Sequence, residues 1–350
     1  MGRIETIVVN AGLRRGKMCR SAQWMTLLLA FAVMGCAAQW NSTPLSFVPT
    51  AINDAGVIVG NDTVNGPVSY QNGIVTVLPP LSGASGPFAA VDVASNGAIL
   101  GSTGDRKFPG TFWLSGGVQI PLGPAPVGFF VPKAVNSHVA VAGSAFDALK
   151  AYKWTANAIG YTELQPPTTL PPGEHDTRAT DINDAGLVVG FEIKPPTGPA
   201  HIIRWSADGT PTLLDNLNSI FSTPHILNNG AVFWMNGGSI IRNLGGTSTF
   251  QQPPQVDSLD AVSQAERLAG TKTVNGVRHG WTSFKGLVTF LDLPGAQNGD
   301  FFRPVDIDTC GNNIVGVHMG PNGEVIGGVL FSRRSFLVFQ SCDVPPVLTQ

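Results

Sequence analysis

Seven times between Val48 and Phe339 the chain writes one short phrase and then turns: an apolar residue, Asn or Asp, a turn with Gly, and an apolar triplet closed by Gly. The clearest copies are Ala51-Ile52-Asn53-Asp54-Ala55-Gly56-Val57-Ile58-Val59-Gly60 and Asp181-Ile182-Asn183-Asp184-Ala185-Gly186-Leu187-Val188-Val189-Gly190. Repeats of this length build a fold from one small unit that buries little alone and gains its core by stacking on its neighbours. Taking the closing glycine as the register mark gives Gly60, Gly101, Gly143, Gly190, Gly270 and Gly316. A degenerate unit, Ile226–Phe233, fills the double gap, reads as one turn residue short, and carries Trp234 where the glycine falls. Counting it gives units of roughly 40 residues, the period of four-stranded propeller blades.

Each unit parses into strands. Asn53-Asp54-Ala55-Gly56 suits a type I turn ending in a left-handed glycine, the kind that joins antiparallel strands. Val57–Gly60 follows as a short, wholly apolar strand. Aromatic strands come next, such as Thr111-Phe112-Trp113-Leu114 and Ala151-Tyr152-Lys153-Trp154. Alternating strands such as Ile74-Val75-Thr76-Val77-Leu78 complete the units. Ser258–Leu268 and Phe146–Ala156 have local helical composition, but the repeat register places both on strands, and tertiary context overrides propensity. The expected fold is therefore all-β, a seven-bladed β-propeller. Closing the ring protects strand edges that an open stack would expose.

Charged residues make up only 13% of the 350, with 42 Gly and 27 Pro, which suits short strands and tight turns. A formal net charge of -2 and the lack of a basic stripe speak against nucleic-acid binding. At the N-terminus Arg14, Arg15, Lys17 and Arg20 precede an uncharged run, Met25–Met34, and then small residues. About ten apolar residues are too few to span a bilayer, so residues 1–38 read as an export signal. Val33-Met34-Gly35-Cys36 resembles a lipobox, which makes Cys36 a candidate lipidation site and the outer membrane the expected home; plain secretion is the alternative. Residues 39–47 read as a linker, 48–343 as the propeller and 344–350 as a tail. Cys310 and Cys342 are expected to form a disulfide, since the chain meets an oxidising compartment.

At the level of its units the chain resembles the HAF-repeat family of predicted extracellular bacterial proteins. Ala51–Gly60 and Asp181–Gly190 match the Ile-Asn, turn and valine-rich strand of that family, and His201-Ile202-Ile203 and His279-Gly280-Trp281 keep part of its aromatic strand. The resemblance spans residues from about 48 to 340. It implies an exported propeller-like repeat protein and transfers no catalytic residue.

Chemistry is sparse. His138, His175, His201, His225, His279 and His318 are scattered without metal-ligand spacing, and no nucleophile elbow or phosphate loop is present. Asp92, Asp181 and Asp306 share one repeat position, held by Ala51, Ala134, Ile226 and Ala261 in the other units. If that strand lines the axis, the three carboxylates are weak candidates for a calcium site; the alternative is that each accepts hydrogen bonds from a neighbouring turn. Trp40, Phe129, Phe130, Phe301 and Phe302 are candidates either for ligand contact or for the core. The leading functional reading is a monomeric cell-envelope module that binds or scaffolds an extracellular protein or glycan, with no catalytic activity evident. Its membrane contact would be limited to the lipid anchor. The alternative is a hydrolase- or lyase-type propeller enzyme with a channel metal, acting on an extracellular polysaccharide or lactone.

Overall fold

The computed structural model describes residues 40–124, 126, 128–156, 160–170, 175–193, 200–217, 223–251 and 255–333. Within them twenty-eight strands form seven four-stranded sheets, the blades of a β-propeller. The innermost strands of blades 1 to 7 are Val48–Ile52, Phe88–Val93, Phe130–Val135, Asp176–Ile182, His225–Ile226, Ala261–Val262 and Phe301–Ile307. Six blades run in chain order from the axis outward. Blade 7 takes its outermost strand, Trp40–Leu45, from the far end of the chain, paired antiparallel with Gly328–Arg333. Residues 40–45, expected to lie in a linker, instead form the strand that closes the ring. Leu45 is buried and Trp40 packs on the blade 7 core, which explains why this segment orders against the sheet.

The turns give the true register. Gly56, Gly97, Gly186, Gly230 and Gly311 occupy the left-handed region at φ between 68° and 84°, and Val139 and Glu266 take the same conformation at 59° and 58°. Three residues before each lies the turn's first residue: Asn53, Ala94, Asn136, Asn183, Leu227, Ser263 and Asp308. Its carbonyl accepts the N–H of the left-handed residue in every blade. The Asn side chains do two jobs there. Asn183 Oδ1 accepts the Leu187 N–H at 2.9 Å while Nδ2 donates to the Leu227 carbonyl of blade 5 at 2.9 Å. Asn53 and Asn136 repeat the pattern toward Ala94 and Asn183. The Ile-Asn phrase of the sequence is therefore a stitch between blades as well as a turn.

The closing glycines have an equally local cause. Inner strands carry a β-bulge at Thr50, Val91, Lys133, Thr180 and Val305, one residue before the position of the candidate carboxylates. A Cβ on Gly60, Gly143, Gly190 or Gly316 would overlap a backbone carbonyl of that strand, on Gly270 the Ser258 carbonyl ahead of the blade 6 inner strand, and on Gly101 the Trp113 ring. In blade 5 the inner strand has only two residues and its pairing ends at His225–Phe233, so position 234 has no ladder partner on its inner side. Trp234 is fully buried against Val189, Ala200 and Ile202 of blade 4, with Nε1 donating to Asp215 at 3.0 Å.

Neighbouring sheets bury their faces against each other. Ala134, Ala142 and Leu164 of blade 3 pack on Ala179, Val188 and Trp205 of blade 4. Trp113 and Trp205 reach back with Nε1 to the carbonyls of Pro79 and Gln165 in the preceding blades, at 2.8 and 2.7 Å. Burying each large side chain stabilises by about 1.5–3 kcal/mol. The two stretches of helical composition form strands and turns, as the repeat register requires.

Candidate functional site

The seven inner strands line an axial channel whose narrower part encloses about 390 Å³. One side-chain layer of its wall comes from the residue two before each turn. Ladder pairing fixes its membership: Ile226 faces Val232 as Ile182 faces Val188, so the layer position of blade 5 is His225. Around the ring the layer reads Ala51, Asp92, Ala134, Asp181, His225, Ala261 and Asp306. Placing Ile226 in this layer was a register error of one residue. The blade 5 turn, Leu227–Gly230, is complete; what blade 5 lacks is inner-strand length, not a turn residue.

The three carboxylates of the layer act as latches between blades. Asp92 accepts the N–H of Val93 in its own blade and of Val135 in the next, both at 2.8 Å. Asp181 does the same with Ile182 at 2.8 Å and Ile226 at 2.9 Å. Asp306 accepts from Ile307 and, across the ring closure, from Ile52, both at 2.8 Å. The carboxyls are half-open to the channel, with protein packed on their other sides. Burial pushes Asp92 up to about 6 and Asp181 up to about 7, against the pull of their backbone donors, and Asp306 rises well above the ordinary range for the same reason. Mutual repulsion adds to the shifts of Asp181 and Asp306. Among the described residues no group of three or more His, Cys, Asp or Glu side chains converges as a metal site. Calcium at this ring stays an expectation of the sequence alone.

His225 differs from its layer mates. It borders both the narrow channel and a wider cavity of about 520 Å³ at the other end of the inner strands. Burial lowers the imidazole to about 4, so the ring is neutral at physiological pH, with the Leu259 carbonyl pulling the other way. Nε2 is enclosed and has no hydrogen-bond partner, which assigns the proton to Nδ1, facing that carbonyl. The wider cavity is walled by Phe191, Leu259, Pro304, Val305 and Val317, with Asp260 and Arg303 as its charged pair. Arg303 Nη2 lies 3.3 Å from Asp260 Oδ1, and Ser258 Oγ donates to Asp260 Oδ2 at 2.5 Å. Asp260 is raised by burial, while more than half of the Arg303 side chain is exposed.

Other histidines are tied down elsewhere. Glu192 lies between His175, at 2.5 Å, and His201, at 3.7 Å. His318 pairs with Asp300 at 2.9 Å and His279 with Asp292 at 3.0 Å. Blades 4 and 7 hold the same pair with acid and base exchanged: Glu192 and His318 both lie two residues past the closing glycine, which marks these pairs as braces between strands. Phe130, Phe301 and Phe302 are buried and Phe129 and Trp40 half-buried, so the candidate ligand aromatics belong to the core and its margins. Cys36 and Cys342 lie outside the described residues.

The chain matches no protein-family model and no curated protein. Among solved structures its fold is similar to virginiamycin B lyase from Staphylococcus aureus, with TM-score 0.57 and 13% identity over 84% of this chain and 99% of that one. A catalytically inactive histidine-to-alanine variant of that lyase with quinupristin aligns at TM-score 0.56 and 13% identity, over the same shares. A streptogramin B lyase aligns at 0.54 and 15%, over 85% and 98%. At such identities the likeness shows the fold alone. It does correct the reading of a non-catalytic binding or scaffold module, which rested on the absence of catalytic motifs in a repeat architecture. Lyases share that architecture over nearly their whole length, so the architecture gives no ground for a scaffold.

Proposed function

We propose that the chain is an enzyme of the lyase type whose substrate seats in the wider cavity and yields a proton to His225. The observation that carries this reading is the neutral imidazole bordering that cavity, whose unpartnered Nε2 is shielded from solvent and takes the proton once the ring turns toward the cavity. A general base must be unprotonated and within reach of the substrate, and perturbed groups in clefts are where such chemistry concentrates. The reaction is an elimination. The C–H bond beside a carbonyl breaks, its proton going to Nε2 and its electrons forming a C=C bond, and the oxygen on the next carbon departs with the electron pair of its own broken C–O bond. Arg303 offers a cation for the oxygen that gains charge. Negative charge developing near the imidazole raises its proton affinity, the direction a base requires. The fold's similarity to lyases, one of them inactivated by loss of a histidine, supports the class.

The test is turnover by the full chain on a panel of β-acyloxy esters and cyclic depsipeptides, quinupristin included, followed by new unsaturation in the product. His225→Gln is expected to lower kcat by about 10²–10⁴-fold, with the melting temperature kept. Equal turnover by His225→Gln, or no turnover and no saturable binding across the panel, would contradict the proposal.

Export is proposed alongside. A Cys310–Cys342 disulfide belongs to the same proposal, since an exported chain meets an oxidising compartment. Free thiols at both positions in a non-reduced digest would count against it.

A further inference from the structure

His225 lies on one of the two shortest inner strands of the propeller, two residues long, so its own sheet gives it only the pairs His225–Phe233 and Ile226–Val232. A longer strand would fix the imidazole by its own ladder. Here the neighbouring blade supplies what is missing. Thr180, the bulged residue of blade 4, donates Oγ1 to the Pro224 carbonyl at 2.9 Å, immediately before His225. Asp181, the next residue, accepts the Ile226 N–H at 2.9 Å, immediately after it. The peptide units on both sides of the histidine are therefore gripped by two consecutive side chains of one strand. The bulge makes this possible: it turns Thr180 and Asp181 toward the same neighbour, where regular alternation would send them to opposite faces.

We infer that Thr180 and Asp181 are positioning residues that set the orientation of His225 and keep its Nε2 shielded and unpaired. The inference rests on the proposed role of His225, but its test does not use activity. Comparison within the ring separates a specific role from general bracing. Asp92 latches blade 2 to blade 3 with the same geometry that Asp181 uses, yet its target is Val135, which follows Ala134 and not a titratable residue. Thr50 likewise reaches the Ala90 carbonyl at 3.2 Å, next to no histidine. Alanine is the resident residue of this layer in blades 1, 3 and 6, so Asp→Ala changes here copy a side chain the ring already accommodates.

The experiment is an NMR titration of labelled histidine in the full chain, reading the His225 midpoint. The groups that bear on the ring are Asp181 from blade 4, Asp260 from blade 6, and Arg303 and Asp306 from blade 7. Thr180→Val and Asp181→Ala are each expected to move the midpoint upward by about one unit or more, toward the ordinary histidine value, as the loosened ring gains water. Thr180→Ser, which restores the hydroxyl, is expected to return it. Asp92→Ala is expected to leave it in place. An unmoved midpoint in Thr180→Val and Asp181→Ala, or an equal shift in Asp92→Ala, would overturn the assignment. Loss of turnover in His225→Gln decides the base role separately, so failure of either idea is recognisable without the other.

Discussion

Replacing Gly190 with alanine is expected to destabilise the protein by about 3 kcal/mol or more, against about 1 kcal/mol for Gly186→Ala four residues earlier. The two glycines are needed for different reasons. Gly186 sits at φ 77° in the open turn, with its nearest side-chain atom, on Ala207, in ordinary contact, so an added methyl meets only backbone strain. Gly190 has an unremarkable φ, but a Cβ there overlaps the Arg178 carbonyl and the Ala179 backbone. Neither strand can move aside, because Arg178 and Ala179 are in register with Phe191 and Gly190, and blade 4 packs on both neighbours through this pair. Urea unfolding monitored by tryptophan fluorescence would rank the two variants. Equal midpoints would show that the inner strand does not approach as closely as described.

The second large effect is on pH dependence. Asp92, Asp181 and Asp306 all have folded values raised by burial, to about 6, about 7 and well above the ordinary range. A carboxyl whose folded value exceeds its unfolded one binds more protons in the folded state. Its contribution is complete below the unfolded value near 3.8 and is lost as pH rises through the folded value. The three together oppose folding increasingly as pH rises above about 4, Asp92 until about 6 and Asp181 until about 7. His225 acts in the opposite sense: its value is lowered from 6.5 to about 4, so its contribution is present above 6.5 and lost as pH falls to 4. Comparing the full chain with Asp92→Ala/Asp181→Ala/Asp306→Ala isolates the acids, since both proteins keep the histidine. The triple variant should lose its latches and be less stable at pH 4, and should close much of that gap by pH 7. Parallel stability curves would mean that the carboxyls are better hydrated than their enclosure implies.

Repeat spacing carried the architecture, because the constraints that set it are local: a left-handed turn residue, a glycine under a carbonyl, an Asn bonding its own turn. Three features were not legible for identifiable physical reasons. Trp40–Leu45 pairs with residues almost three hundred positions away, and nothing in its own pattern names that partner. Asp92, Asp181 and Asp306 were found in register, but their latching role depends on a bulge that aims them at the next blade. His225 was displaced from the layer because Asn228 was aligned with Asn53, which made the blade 5 turn read one residue short. Aligning Gly230 with Gly56 and Gly186 instead puts Leu227 on Asn53 and His225 on Asp181, so the signal was present in the turn glycine. The carboxylate position itself tolerates Ala, Asp or His, and such variety at one repeat position conceals function from pattern reading.

The proposed chemistry depends on the state of one imidazole. Long-range ¹H–¹⁵N correlation spectra of the full chain, with His225 assigned by its loss in His225→Gln, report which nitrogen carries the proton and at what pH the second arrives. A single tautomer with the proton on Nδ1 and a bare Nε2, persisting down to a midpoint near pH 4, is the predicted result. A ring that titrates near 6.5, or that carries its proton on Nε2, would contradict the enclosed acceptor on which the proposed chemistry depends.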